Sequence, residues 1–263
     1  MLRRNLKGAY TIWYRDVIRF ARDRVRMCAA LGQPLLYLFV FGTGMAPAMS
    51  AATGGALDFR QFMFPGILAM AVLFTAIFSA ISVVWDREFG FLKEVMVAPV
   101  SRTAVALGKV AGGATVAMFQ GIIVLLLAPV VGVVMSPGQV VAVIGLMLLL
   151  ATVMTSLGLV IAARQRTMEG FQMMMNFLMM PMFVLSGAFF PLRGVPLWLT
   201  WLSRLDPVTY GVDALRQEVL RDSVTPGLLA TLTVHPMATN VVVMAALSIA
   251  FIIPAVWQFG RQD

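Results

Sequence analysis

Charges that could do chemistry concentrate in one decapeptide, Trp85-Asp86-Arg87-Glu88-Phe89-Gly90-Phe91-Leu92-Lys93-Glu94, set between long apolar stretches. Asp86, Arg87, Glu88, Lys93 and Glu94 offer directional ion pairs, and Phe89, Phe91 and Leu92 offer apolar anchors. Gly90 lets the backbone bend or approach closely. This is the chemistry of docking to a protein rather than of bond making; a solvated loop with incidental charges is the plainer reading. Reactive constellations are sparse. One Cys, Cys28, and one His, His235, leave disulfides, zinc sites and Ser-His-Asp catalysis poorly supported, and no metal site is expected. His235 precedes Pro236 and reads as a solvated loop residue. Gly108-Lys109 lacks the leading glycine and the trailing Ser or Thr of a phosphate-binding loop, so no ATP site of that kind is expected.

The elements that position these charges follow from composition. Of 263 residues, 60% are hydrophobic and only 12% charged, more apolar surface than the interior of a soluble domain hides. A helix needs about 20 apolar residues to cross a bilayer core. The runs here are continuously apolar, which argues against a barrel of alternating strands. The pattern predicts an all-α integral membrane protein with six transmembrane helices, at 27–45, 62–84, 104–134, 140–163, 171–190 and 237–257. Lys109 falls in the first turns of the third, where it snorkels or projects into water. The Pro and Gly of Met135-Ser136-Pro137-Gly138-Gln139 suit a tight turn joining the third span to the fourth.

Residues 1–26 form a cytoplasmic amphipathic helix by their spacing. Leu6, Tyr10, Trp13, Val17 and Phe20 share one stripe, with Trp13 and Tyr14 as headgroup anchors. Ala46-Pro47-Ala48 has the look of a signal cleavage site, but the basic region before it is too long for a signal peptide. Most of the 20 Lys and Arg residues fall on one side of the predicted spans, which places both termini in the cytoplasm. The net charge of +8 is therefore topological, and no nucleic-acid partner is expected.

All 12 acidic residues lie away from the centres of the predicted spans, which weakens ion-driven secondary transport. Beyond the fifth span, Pro191, Pro196 and Pro207 break the chain while Trp198, Trp201 and Leu205 keep it amphipathic, a pattern of short helices dipping into the outer leaflet. Arg193, Arg204, Asp206, Asp213, Arg216 and Glu218 are expected there near water or paired with one another. The fifth span is rich in Met. Met175, Asn176, Met179 and Phe183 are candidates to line an adaptable substrate path, or equally to pack helices together.

Two strings carry a resemblance. Asp86-Arg87-Glu88-Phe89-Gly90-Phe91-Leu92-Lys93-Glu94-Val95-Met96-Val97-Ala98-Pro99-Val100-Ser101, followed by Gly108-Lys109, resembles the series between the second and third spans of ABC-2 type transporter permeases. Phe190-Pro191-Leu192-Arg193-Gly194-Val195-Pro196-Leu197-Trp198-Leu199 and Leu205-Asp206-Pro207-Val208-Thr209-Tyr210-Gly211-Val212-Asp213-Ala214-Leu215-Arg216 resemble that family's loop after the fifth span. The resemblance implies a single six-helix domain over 27–263, with a coupling helix at 85–100 and an extracytoplasmic re-entrant region at 191–222. Residues Asp86 to Glu94 would then engage an ATPase. Pro191, Pro196, Trp198, Asp206, Pro207, Tyr210, Asp213 and Arg216 would gate or anchor the outer side. Asp206 stands where relatives often have Asn.

The same resemblance implies a non-catalytic permease of the bacterial cytoplasmic (inner) membrane. It would work as a homodimer with two copies of a separate ABC ATPase, which carries the ATP and Mg; this chain would bind no cofactor. Similarity to the antibiotic-resistance branch implies export of a hydrophobic or amphipathic compound, such as a drug, antibiotic or lipid-like molecule. Export of a lipid-linked polysaccharide or lipo-oligosaccharide is the alternative, followed by a membrane scaffold or a secondary transporter.

Overall fold

The computed structural model describes residues 2–55, 57–88 and 101–260, and within them every regular element is helical. Five stretches are long and apolar enough to cross a membrane: Met27–Ala51, Phe59–Glu88, Arg102–Leu125, Pro137–Ala162 and Pro226–Gln258. The expected fifth span falls on α8, defined below. It is shorter than expected, at 18 residues, and Glu169, Gln172 and Asn176 make its first half polar.

Helix α1 (Leu2–Arg22) leads into α2 (Arg24–Leu36), a π-helical turn at Tyr37–Phe41 and α3 (Gly42–Thr53), which together form the first long stretch. Helix α4 (Phe59–Ser79) starts at a capping box: Asp58 accepts from the Arg60 N–H at 2.9 Å, and Gln61 accepts from the Asp58 N–H at 3.4 Å. It is the buried centre of the molecule, with Phe62, Phe64, Ile67 and Leu68 essentially without exposure. Short α5 (Ile81–Glu88) continues its path.

Helix α6 (Arg102–Leu125) is capped by Ser101, whose hydroxyl accepts from the Ala104 N–H. Helix α7 (Pro137–Ala162) corrects the expected hairpin turn. Ser136 and Gln139 form a capping box and Pro137 occupies the first helical position, so Pro137 and Gly138 begin the helix instead of bending the chain. The reversal lies earlier, near Ala128–Val131 and Gly132, whose φ of +77° suits glycine. Helix α8 (Met168–Leu185) follows. Two short helices, α9 (Leu197–Leu205) and α10 (Pro207–Val219), then meet at Asp206, before α11 (Pro226–Leu232) and α12 (Met237–Gly260).

The four helices α4, α6, α7 and α12 pack around one core, and α10 closes one end of it against α4, α7 and α12. Helix α1 is not a free surface helix: it runs along α6 over its whole middle. Gly108 makes this possible, since a Cβ there would lie 2.8 Å from the Ala9 carbonyl. Trp13 turns inward and donates from Nε1 to Thr115 Oγ1 at 3.0 Å, so the expected anchor pair is divided. Tyr14 and its stacked neighbour Tyr10 remain exposed as interfacial groups.

Candidate functional site

The C-terminal end of α5 is a branch point because consecutive helical residues point about 100° apart. Asp86 points toward α1 and α6. Its Oδ2 accepts from Arg15 at 2.8 Å and from Lys109 Nζ at 3.3 Å. Lys109 also reaches Asp16 at 3.3 Å and Ser82 Oγ at 3.0 Å, and Arg15 Nε lies 3.6 Å from Asp16. Two cations and two anions from three helices thus form one neutral cluster, with Asp86 and Lys109 each only 5% exposed. Lys109 therefore neither snorkels nor projects into water; its head is buried because two carboxylates compensate it. Outside the spans, burial opposes the Arg15 charge, but Asp86 and Asp16 outweigh that cost and hold its pKa above the ordinary value.

Arg87 and Glu88 point toward the turn between α7 and α8. The Arg87 guanidinium donates to the carbonyls of Gln165 at 2.6 Å and Ala163 at 2.9 Å, just past the end of α7. Glu88 Oε2 accepts from the Met168 N–H at 3.1 Å, at the start of α8. A cation thus sits at a helix C-terminus and an anion at a helix N-terminus, the signs each helix dipole favours. Asp86, Arg87 and Glu88, expected to offer ion pairs to a partner, each also bond within the chain, Asp86 from a buried position while Glu88 stays exposed. Phe89, Gly90, Phe91, Leu92, Lys93 and Glu94 lie outside the described residues.

Beside this end, a cavity of about 650 Å³ opens between α1, α2, α4, α5 and α8. Phe74, Phe78, Trp85 and Met168 line its apolar part, while Arg19 and Gln172 stand among its polar groups. The Arg19 guanidinium lies 5.8 Å from the centre of the Trp85 ring. Of the residues expected on a substrate path, Met175, Met179 and Phe183 are buried in the core and Asn176 is exposed; none of the four lines this cavity. The buried three share a helical face with Met168 and Gln172 but lie further along α8, so position along the helix axis separates them from the cavity.

Asp206, Pro207, Tyr210, Asp213 and Arg216 lie at the start and on the buried face of α10. Of the six charges expected near water or paired with one another, Arg193 and Arg204 are exposed, whereas Asp206, Asp213, Arg216 and Glu218 are buried. Asp206 caps α10, accepting from the Val208 N–H at 3.0 Å and from Thr209 Oγ1 at 3.2 Å. Burial raises its pKa to about 7 despite these bonds. Asp213 accepts from the Val234 and His235 N–H groups and from Asn240 Nδ2 and Gln217 Nε2, all within 3.2 Å, which ties α10 to the entry of α12. His235 is thereby half-buried and stacked on Tyr210, not a solvated loop residue. Tyr210 donates its hydroxyl to the Arg204 carbonyl at 2.8 Å.

Arg216 donates to the Gly187 carbonyl at 2.7 Å and sits 4.3 Å from the Phe62 ring centre, and burial lowers its pKa to about 10. Pro191 is half-buried in the turn after α8, whereas Pro196 and Trp198 stand exposed at the start of α9, away from this cluster.

Sequence reasoning missed Arg15, Asp16 and Ser82. The available signal was Lys109, a lone cation at the start of an apolar run with no counter-charge on its own helix, which demands partners from elsewhere.

A model of the ABC-2 type transporter family matches residues 8–220. The putative transport permease ycf38 of Cyanophora paradoxa is 27% identical over 213 residues, covering 80% of this chain and 73% of the relative. The inner membrane transport permease YadH of Escherichia coli strain K12 is 28% identical over 211 residues, covering 78% and 80%. The probable multidrug ABC transporter permease YbhR of the same strain is 27% identical over 168 residues, covering 64% and 46%.

Proposed function

The chain belongs to the ABC-2 type transporter family, and on that premise we propose that it is the permease of an exporter for a hydrophobic or amphipathic compound. Permeases of this family partner with an ABC ATPase subunit. The ATPase would carry the ATP and Mg, leaving this chain without catalytic work. The reading extends to a multi-pass protein of the bacterial inner membrane with cytoplasmic termini, and to two permease copies with two ATPases. The relatives named as an inner membrane permease and as a probable multidrug permease support the membrane and the substrate class, respectively.

The observation that carries the substrate class is the cavity of about 650 Å³ beside the cytoplasmic end. Its volume lies in the range of small-molecule sites. Its wall joins aromatic side chains to the heads of Arg19, Asp23, Gln33 and Gln172, which suits a molecule with an apolar body and a polar end. ATP binding on the partner would push on the segment after Glu88 and shift the packing of the spans between inward- and outward-facing states, each with its own affinity for substrate.

The test is ATP hydrolysis by the complex of this chain with an ABC ATPase from the same genome, purified in lipid and titrated with lipophilic drugs. Saturable stimulation that Phe74→Ala weakens supports the reading. Stimulation by lipid-linked glycans alone, or failure to form an ATPase complex, overturns it.

A further inference from the structure

The geometry points to Arg87 and Glu88 as a relay: a double helix cap that makes the start of α8 move with α5, so that a push on the segment after Glu88 reaches the cavity wall. This inference rests on the permease reading above.

The argument starts from the unpaired backbone groups at helix ends. The last carbonyls of α7 and the first N–H groups of α8 need partners. Thr167 caps one of them, accepting from the Gly170 N–H at 3.2 Å. The Met168 N–H and the carbonyls of Ala163 and Gln165 are served instead by two adjacent residues of α5, nearly 80 positions earlier in the chain. The turn between α7 and α8 is therefore completed by α5. Charge-assisted bonds are the stronger and shorter kind, and three of them span a turn of only five residues, 163–167.

Position in the chain gives the device its purpose. Glu88 is the last described residue before the 89–100 segment. The other end of that segment is held elsewhere: the Ser101 N–H donates to Asn5 Oδ1 of α1 at 3.0 Å. One base of the segment is thus tied to α1 and α6, the other to α8. The cavity has Ile81, Ser82 and Trp85 of α5 on one wall and Met168 and Gln172 of α8 on another. Met168, whose N–H donates to Glu88, is itself a lining residue. No slack separates the loop base from the wall, so displacement of α5 carries the first turn of α8 with it.

Arg87 and Glu88 are positioning residues in this scheme, and the test needs a readout that a purely structural role leaves alone. Gln172→Cys in a Cys28→Ser background serves as reporter, labelled with an impermeant maleimide in inside-out vesicles that carry the complex with its ABC ATPase. In the parent, ATP with vanadate should change the labelling rate several-fold. In the Arg87→Ala, Glu88→Ala double variant, capture of the ATPase should persist while that nucleotide response is lost. The Arg87→Lys, Glu88→Gln pair, which keeps a donor and an acceptor in place, should regain most of it.

A full response in the alanine pair overturns the relay alone. Loss of ATPase capture in that pair also overturns it, because the two residues would then face the partner. If the parent captures no ATPase or shows no nucleotide response, the permease reading fails first and the relay falls with it.

Discussion

Two clusters in this molecule bury charge in opposite ways. Between α1, α5 and α6, Lys109, Arg15, Asp16 and Asp86 neutralise one another across three helices, side chain to side chain. Around α10, Asp206, Asp213 and Arg216 are met mainly by backbone groups, hydroxyls and amides. His235 Nδ1 lies 4.0 Å from Asp213. Mutual pairing lets helices exchange partners while the total charge stays at zero. Pairing with backbone fixes a single geometry, because the peptide groups cannot move without unwinding the turn they belong to. Backbone pairing thus holds α10 in one geometry, and bonds of the same kind from Arg87 and Glu88 hold the start of α8 to α5, whereas the Lys109 cluster is built from side chains that can exchange partners.

The strongest way to break this comparison is Asp213→Ala. It strands two backbone N–H groups and two side-chain amides in a buried site. The loss should reach the upper end of the about 3–5 kcal/mol seen when one member of a buried charged network is removed. Thermal unfolding of the protein in lipid should show a large fall in midpoint, with the entry to α12 becoming open to proteolysis. A small fall would mean that α10 is not fixed as rigidly as its bonds imply.

Lys109→Met should cost less, toward the lower end of the same about 3–5 kcal/mol, because Arg15 still neutralises part of the charge on Asp86 and Asp16. Adding Asp86→Asn should recover a good part of the loss, as a cluster of mutually paired charges requires. Additive losses in the double variant would deny the pairing. The same thermal assay reads both.

Asp206 tests the α10 cluster by pH. Its pKa is raised from 3.8 to about 7, so the folded state favours the neutral carboxyl. The unfolded chain then releases its proton first, and this group's contribution to stability falls as pH rises from 3.8 to about 7 and is flat above. Between pH 6 and 8 the chain should lose about 1.4 kcal/mol from this group. Asp206→Asn, which keeps an acceptor for the Val208 N–H, should abolish that component. An unchanged pH profile in the Asn variant would assign the titration elsewhere.

The smallest effect is expected from Trp13→Phe, which keeps the aromatic ring and removes only the bond to Thr115, worth about 0.5–1.5 kcal/mol. Reduced protection of α1 in hydrogen exchange would place Trp13 on α6. Reduced lipid partitioning with unchanged protection would return it to the headgroup layer.

Much of the helical layout was legible in the sequence. Apolar runs marked the helices, and Ser136-Pro137-Gly138-Gln139 was visible as a boundary although its role was misread: Pro and Gly suit a turn, but Ser three residues before Gln suits a helix start. The decapeptide from Trp85 stood out by its charges, and of it Trp85 to Glu88 fall within the described residues. Where each charge points was not legible, because Asp86, Arg87 and Glu88 are neighbours in sequence yet reach partners on different helices. The Met-rich stripe of α8 was ambiguous for a related reason. Met and Phe read the same on a core face as on a cavity wall, and only the packing of α2 and α5 against α8 distinguishes them.

The sequence by itself determined that this chain is a bundle of apolar helices with an amphipathic leader, since hydropathy and helical period act locally and need no knowledge of neighbours. It also determined that the charges of the decapeptide and Lys109 must be compensated, since an unpaired charge in such surroundings is too costly to keep. Which groups compensate them was decided by the tertiary structure alone. Partners such as Asp16 and Lys109, or Arg87 and the Ala163 carbonyl, meet through helix packing across scores of residues. The energy of such a pair depends on the distance and burial that packing creates.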